Sequence, residues 1–199
     1  MVPGDHQENS AEIIVVSGLP RSGTSMMMKM LTAGGLEVVT DNLRADDEDN
    51  LLGYFEDERV KDLARDNTWI TPAFDGKVLK VISMLLYHLP PALNYKVVFL
   101  RRGLEEVLAS QRKMLARRGE TDAGPDNTVM AAKFEEHLAK VAEWLDCRNN
   151  IETLYLDYSA AVAAPRECAA RVKKFLGRDL NLDEMAEAVV PSMYRNRSN

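Results

Sequence analysis

The chain reads as one α/β domain of three layers, α/β/α, on a central five-stranded parallel sheet. Three observations predict this. Short apolar runs rich in β-branched residues alternate with stretches of helical spacing, the pattern of strand–helix–strand units. The first run, Ile13, Ile14, Val15 and Val16, is apolar at every position, as suits a parallel strand covered on both faces. The 199 residues, 46% of them hydrophobic, make one domain of ordinary size with a sizeable core.

The elements follow in order. Residues 1–11 form a polar tail, and the first strand covers 12–17. A helix over 23–33 stops at Gly34 and Gly35, and its Met26, Met27, Met28 and Met30 are core filling. A short second strand covers 36–39. Residues 41–50 carry five Asp or Glu with no apolar period and read as an exposed loop. Val60, Leu63 and Ala64 then have helical spacing. Residues 68–76 connect to a third strand at 77–82, and Pro90-Pro91 closes the next segment. The fourth strand, 96–100, ends in Arg101-Arg102. The helix after it, 104–118, has Glu105 and Glu106 in its first turn and Arg117 and Arg118 in its last, all suited to the helix dipole. A polar loop over 121–127 leads to a long helix over 128–147 with Phe134, Leu138, Val141 and Leu145 on one face. The fifth strand lies at 153–156. A helix beginning at Pro165 and ending at Gly177, and another over 182–189, finish the chain.

Charge and cysteine use narrow the function. A net charge of −6 excludes a broad electrostatic grip on nucleic acid, so any anion site is a local focus of positive charge. Cys147 and Cys168 have neither metal-ligand spacing nor a disulfide framework, and read as two reduced thiols in a cytoplasmic protein. The first twelve residues hold no apolar segment of a signal peptide, and no run approaches the roughly eighteen apolar residues of a membrane span.

The chemistry concentrates between the first strand and its helix. Gly18 and Gly23 bracket a loop that opens directly into the helix, where backbone N–H groups and the helix dipole make an anion site. The glycines have the separation of a Walker A loop, but Thr24 stands where that loop carries its lysine, and the cation sits inside the loop as Arg21. Ser25 keeps the hydroxyl. Such a loop suits a phosphate and suits Mg-ATP poorly. No strand ends in the Asp of a Walker B magnesium site either, so no metal is expected.

Pro20-Arg21-Ser22-Gly23-Thr24-Ser25 resembles the 5′-phosphosulfate loop of the P-loop sulfotransferases, in the version of the tyrosylprotein and bacterial members. A second motif agrees. Arg102, at the end of the fourth strand, is followed eight residues later by Ser110, and the family holds the 3′-phosphate of 3′-phosphoadenosine 5′-phosphosulfate (PAPS) with such an Arg and Ser. The alternative is a surface arginine and a helix serine bonded to its own backbone. The resemblance implies a P-loop NTPase-like fold with strand order 2-3-1-4-5. It also implies PAPS as co-substrate, PAP as product, and transfer of a sulfuryl group to a hydroxyl or amine.

On that resemblance Pro20, Arg21, Ser22, Gly23, Thr24 and Ser25 take the 5′-phosphate and sulfate, and Arg102 and Ser110 the 3′-phosphate. Lys80 either faces the ligand crevice at a strand's carboxyl end or snorkels at a strand margin. In the crevice it contacts the sulfuryl oxygens. The base is Glu56, with Asp57 and Glu58 as neighbours able to replace it, or else His88, whose His-Leu-Pro string resembles cytosolic members. His137 reads as a half-buried helix residue. Arg195 and Arg197 form a basic C-terminal stretch that is either a frayed tail or a late loop over the 3′-phosphate. The acceptor is a small molecule, a glycan, a peptide tyrosine or a lipid. Two rivals stand beside this reading: a kinase with a degenerate P-loop, and a non-catalytic bisphosphate-binding module.

Overall fold

β1 (Glu12–Gly18) lies inside a four-stranded parallel sheet of order β2-β1-β3-β4, with β2 at Val78–Lys80, β3 at Asn94–Arg101 and β4 at Ile151–Asp157. The computed structural model describes residues 11–41, 55–117, 119 and 126–190. The tail at 1–10, most of the acidic loop, Arg118, most of the loop at 121–127, and Arg195 and Arg197 lie outside the described residues.

The all-apolar run in β1 divides as the pleat requires, successive side chains going to opposite faces. Ile14 and Val16 join one core with α1 (Thr24–Ala33), α5 (Pro165–Leu176) and α6 (Leu182–Glu187). Ile13 and Val15 join the other with Val141 and Leu145 of α3 (Asn127–Asp146). These are the two outer layers of an α/β/α sandwich. Met26, Met27, Met28 and Met30 are all buried in the first core, as expected. α2 (Leu104–Arg117) packs Val107 and Leu108 against Phe134 of α3 and against Leu19 at the start of the first loop.

Four strands stand where five were expected. Residues 36–39 make a single parallel bridge, Val38 to Val78, through the bonds Val78 N–H to Glu37 O (2.9 Å) and Val39 N–H to Val78 O (2.8 Å). β2 itself is only three residues long, and only its first, Val78, bridges to this segment. With that bridge counted, the spatial order is the expected 2-3-1-4-5. The chain leaves β2 early because Ile82 turns into a 3₁₀ helix at Ser83–His88. The helical spacing after residue 57 becomes a 3₁₀ turn, Glu58–Asp62, and not an α-helix. α4 (Tyr158–Ala163), directly after β4, was not expected at all. Among the described residues no helix is long and apolar enough to cross a membrane.

The strand order places the site. The chain leaves β1 for β2 on one side and returns past β1 to β3 on the other, so the crevice between the carboxyl ends of β1 and β3 is a topological switch point, where such sheets take ligands.

Candidate active site

At the end of β1 the loop closes on itself through the Ser22 N–H, which donates to the Leu19 carbonyl at 3.1 Å. Gly18 has φ 148°, and a β-carbon there would stand 2.4 Å from Ser22 Oγ and 2.6 Å from the Leu100 carbonyl oxygen of β3. Only glycine lets β1 and β3 close behind the loop. Gly23, φ 102°, caps α1 with no side-chain hydrogen bond, so the helix opens toward the crevice without a capping side chain. Ser22 is 1% exposed, and its Oγ has no partner among the described residues. A buried hydroxyl left without a partner costs about 1–3 kcal/mol.

Arg21 holds φ 71°, a left-handed conformation that costs a non-glycine residue about 1–2 kcal/mol. Two bonds fix it there. Its Nε donates to Ser110 Oγ at 3.1 Å, and its carbonyl accepts from Arg102 Nη1 at 3.1 Å. The loop after β1 and the segment after β3 thus grip each other reciprocally. Ser110, 7% exposed, accepts into this clasp with its hydroxyl oxygen, and Arg102, 8% exposed at its side chain, is no surface charge. Arg102 also donates from Nε to Glu106 Oε2 at 2.8 Å, both side chains being 8% exposed.

Lys80 settles on the crevice side of its two alternatives. It is 7% exposed, and its Nζ lies 3.1 Å from both Ser25 Oγ and Glu56 Oε1. β2 puts it there, since Lys80 pairs in register with Val16 beside the loop. Of the three neighbouring acids, Glu56 is the one brought to this cluster. Its carbonyl accepts from Thr40 Oγ1 at 3.1 Å, after a backbone turn at Phe55 with φ 46°. Asp57 is consumed as the cap of the following turn, accepting from the Arg59 N–H at 3.0 Å and from its guanidinium at 2.9 and 2.7 Å. Glu58 pairs with Lys61 on the surface. His88 ends its 3₁₀ helix, and its carbonyl accepts from Asn67 Nδ2 at 2.8 Å. No hydrogen bond joins its ring to Lys80, Glu56 or the loop among the described residues. His137 is half-buried, as expected, 2.9 Å from Ser83 Oγ, and burial holds its pKa below the ordinary value.

Tyr158 was missed from sequence. It is the first residue of α4, and its ring lies against Gly23, where a β-carbon would come within 2.2 Å of Cδ2. The Arg102 guanidinium sits over the same ring, 4.5 Å from its centre. Burial raises the Tyr158 pKa, with Arg102 and Arg21 pulling it down and Glu106 pushing it up. Its one sequence signal is an aromatic residue at the carboxyl end of the last strand, beside the crevice.

At its switch point the parallel α/β sheet carries a glycine-bounded loop that opens into a helix, a second arginine-bearing segment clasped to that loop, and no lysine at the Walker position. The description "Sulfotransferase domain" fits residues 12–198, and the chain belongs to that family. Its class is that of a sulfotransferase. Among similar solved structures, the sulfotransferase domain of the Synechococcus olefin synthase agrees in fold: it shares 18% identity over 98% of this chain and 86% of its own, with a TM-score of 0.54. A mouse sulfotransferase complexed with PAP shares 17% identity over 90% of this chain and 62% of its own, with a TM-score of 0.49. The sulfotransferase from Alicyclobacillus acidocaldarius shares 13% identity over 85% of this chain and 81% of its own, with a TM-score of 0.45. No curated protein sequence matches the chain closely enough to count as a relative.

Proposed function

We propose that the chain transfers a sulfuryl group from PAPS to a hydroxyl or amine acceptor in the cytoplasm. The observation that carries the reading is the reciprocal clasp between Arg21 and the Arg102–Ser110 segment. A nucleoside triphosphate needs one phosphate cradle and a metal. A 3′,5′-bisphosphate needs two anion pockets at a set separation, and two arginine-bearing segments locked to each other supply that.

In this reading Pro20, Arg21, Ser22, Gly23, Thr24 and Ser25 bind the 5′-phosphosulfate, with the unpartnered Ser22 hydroxyl donating into it. Arg102 and Ser110 hold the 3′-phosphate. Lys80, beside Ser25, faces the sulfuryl oxygens and offsets the charge spread over them during displacement. Glu56 takes the proton from the acceptor as its oxygen or nitrogen bonds to sulfur. The bond from sulfur to the 5′-phosphate oxygen breaks at the same time, and Arg21 stabilises the departing phosphate of PAP. His88 is the alternative base; the contact of Glu56 with Lys80 favours Glu56. Free cysteines, one exposed and one buried, support a reducing compartment. The acceptor classes open to such a site are small molecules, glycans, peptide tyrosine and lipids.

Thermal unfolding with adenosine 3′,5′-bisphosphate or Mg-ATP tests this. At a hundred times its Kd a ligand adds about 2.7 kcal/mol, several degrees in Tm for a chain of this size. Stabilisation by the bisphosphate alone is expected. Stabilisation by Mg-ATP alone would put a kinase in its place. Bisphosphate binding with no sulfuryl transfer from labelled PAPS to a phenol, amine and glycan panel, and no change in Glu56→Gln, would favour a binding module.

A further inference from the structure

We propose that Glu106 is the positioning residue of the second anion pocket: it holds the Arg102 guanidinium in the attitude that receives a 3′-phosphate. This rests on the reading of Arg102 given above. In sequence Glu106 looks like an acid serving the dipole of α2 in its first turn. The structure gives it another partner. It lies in the first turn of α2, four residues after Arg102 and 7% exposed, and its carboxylate accepts the Arg102 Nε proton at 2.8 Å. A buried ion pair adds little net stability, because desolvating both charges cancels most of their attraction. What such a pair does fix is geometry.

An arginine side chain is long, with four rotatable bonds, and ordering it is costly in entropy. Three surfaces are among those that hold this one. Glu106 takes Nε, the Arg21 carbonyl takes Nη1, and the centre of the Tyr158 ring lies 4.5 Å from the guanidinium carbon. The ring and the loop carbonyl restrain the plane and one corner. Glu106 adds a restraint on rotation of the fork within its plane, which decides where the donors converge. Arg102 starts just past the end of β3, so without the carboxylate the fork can swing about its stem while both ends of that stem stay put. An arginine held in advance loses less entropy when an anion arrives, and binding gains accordingly.

A carboxylate beside an anion pocket also repels the anion. The two effects have opposite signs in a single measurement. Glu106→Gln keeps the shape and removes the charge. Calorimetry would compare adenosine 3′,5′-bisphosphate with adenosine 5′-monophosphate, which has no 3′-phosphate. The positioning role predicts a selective loss of about tenfold or more for the bisphosphate, the scale of one charge-assisted hydrogen bond, with less than about a twofold change for the monophosphate. In the Arg102→Ala background Glu106→Gln should then cost nothing further, because the residue acts through Arg102. Glu106→Asp, which keeps the charge and withdraws it by one methylene, should show an intermediate selective loss and serves if the Gln protein does not fold. Equal losses for both nucleotides would make Glu106 a merely structural residue, and tighter bisphosphate binding in Glu106→Gln would make it a repulsive one; either overturns the proposal. If the wild-type protein itself binds both nucleotides equally, the 3′-phosphate reading of Arg102 fails first and takes this one with it.

Discussion

Two glycines of this chain make a controlled experiment on how tightly the loop is packed. Gly23 has φ 102° and Gly35 has φ 101°, so replacing either by Ala forces the same unfavourable backbone on a residue with a β-carbon. That conformational term is about 1–2 kcal/mol. The surroundings differ completely. At Gly35 nothing lies within 4 Å of the added carbon, whereas at Gly23 it meets Tyr158 Cδ2 at 2.2 Å and Cε2 at 2.7 Å. Ordinary contact needs well over 3 Å, so the ring must retreat by about an ångström. Retreat is hard, because Tyr158 is buried and its ring also carries the Arg102 guanidinium, 4.5 Å from its centre. Overpacking of that kind costs about 1–3 kcal/mol. Gly35→Ala should therefore lose about 1–2 kcal/mol and Gly23→Ala about 2–5, read from urea unfolding with m unchanged. Equal losses, within about 0.5 kcal/mol, would show that the Tyr158 ring is not seated on the loop, and the account of the two anion segments as one packed unit would fall with it.

Two further outcomes follow from burial. Burial pushes the Cys168 thiol up to about 11, while Cys147 is exposed. A thiol reagent near neutral pH should label one equivalent rapidly in the native protein and two after unfolding; two rapid equivalents in native protein would contradict the packing of α5. Burial lowers the His137 pKa below its ordinary 6.5. Just below that value the unfolded chain binds a proton that the folded chain refuses, so stability falls as pH drops through this window. His137→Gln should flatten that part of the profile of Tm against pH, and an unchanged slope would assign the effect to other groups.

The parts of the fold that local pattern controls were legible. β1 declares itself because an unbroken apolar run has one good use in a parallel sheet, and its neighbours Gly18, Arg21 and Gly23 announce an anion loop by type and spacing. What spacing cannot show is which of several polar neighbours a side chain chooses. Lys80 was open between water and crevice because the answer depends on β1 lying beside it. Glu56, Asp57 and Glu58 are adjacent in sequence, yet a 3₁₀ cap takes Asp57 and the surface takes Glu58. Glu106 satisfied a helix-dipole rule so well that its contact with Arg102 stayed hidden. Tyr158 could not be found from its neighbours at all, since it reaches Gly23 from more than a hundred residues away through sheet order alone. The expected second strand failed for a related reason: residues 36–39 have strand composition, but composition does not fix pairing length, and they make only the bridge of Val38 to Val78.

The grip between Arg21, Ser110 and Arg102 has a consequence for anyone who would redesign this domain. A loop that borrows its shape from a distant helix is not a portable cassette. Grafting residues 18–25 into another scaffold would carry the left-handed Arg21 without the two bonds that tolerate it. The transferable unit is discontinuous: the loop, the Arg102–Ser110 turn with Glu106, and the Tyr158 ring, moved together or not at all. Natural variation should obey the same grammar, with changes in one segment answered by changes in the others.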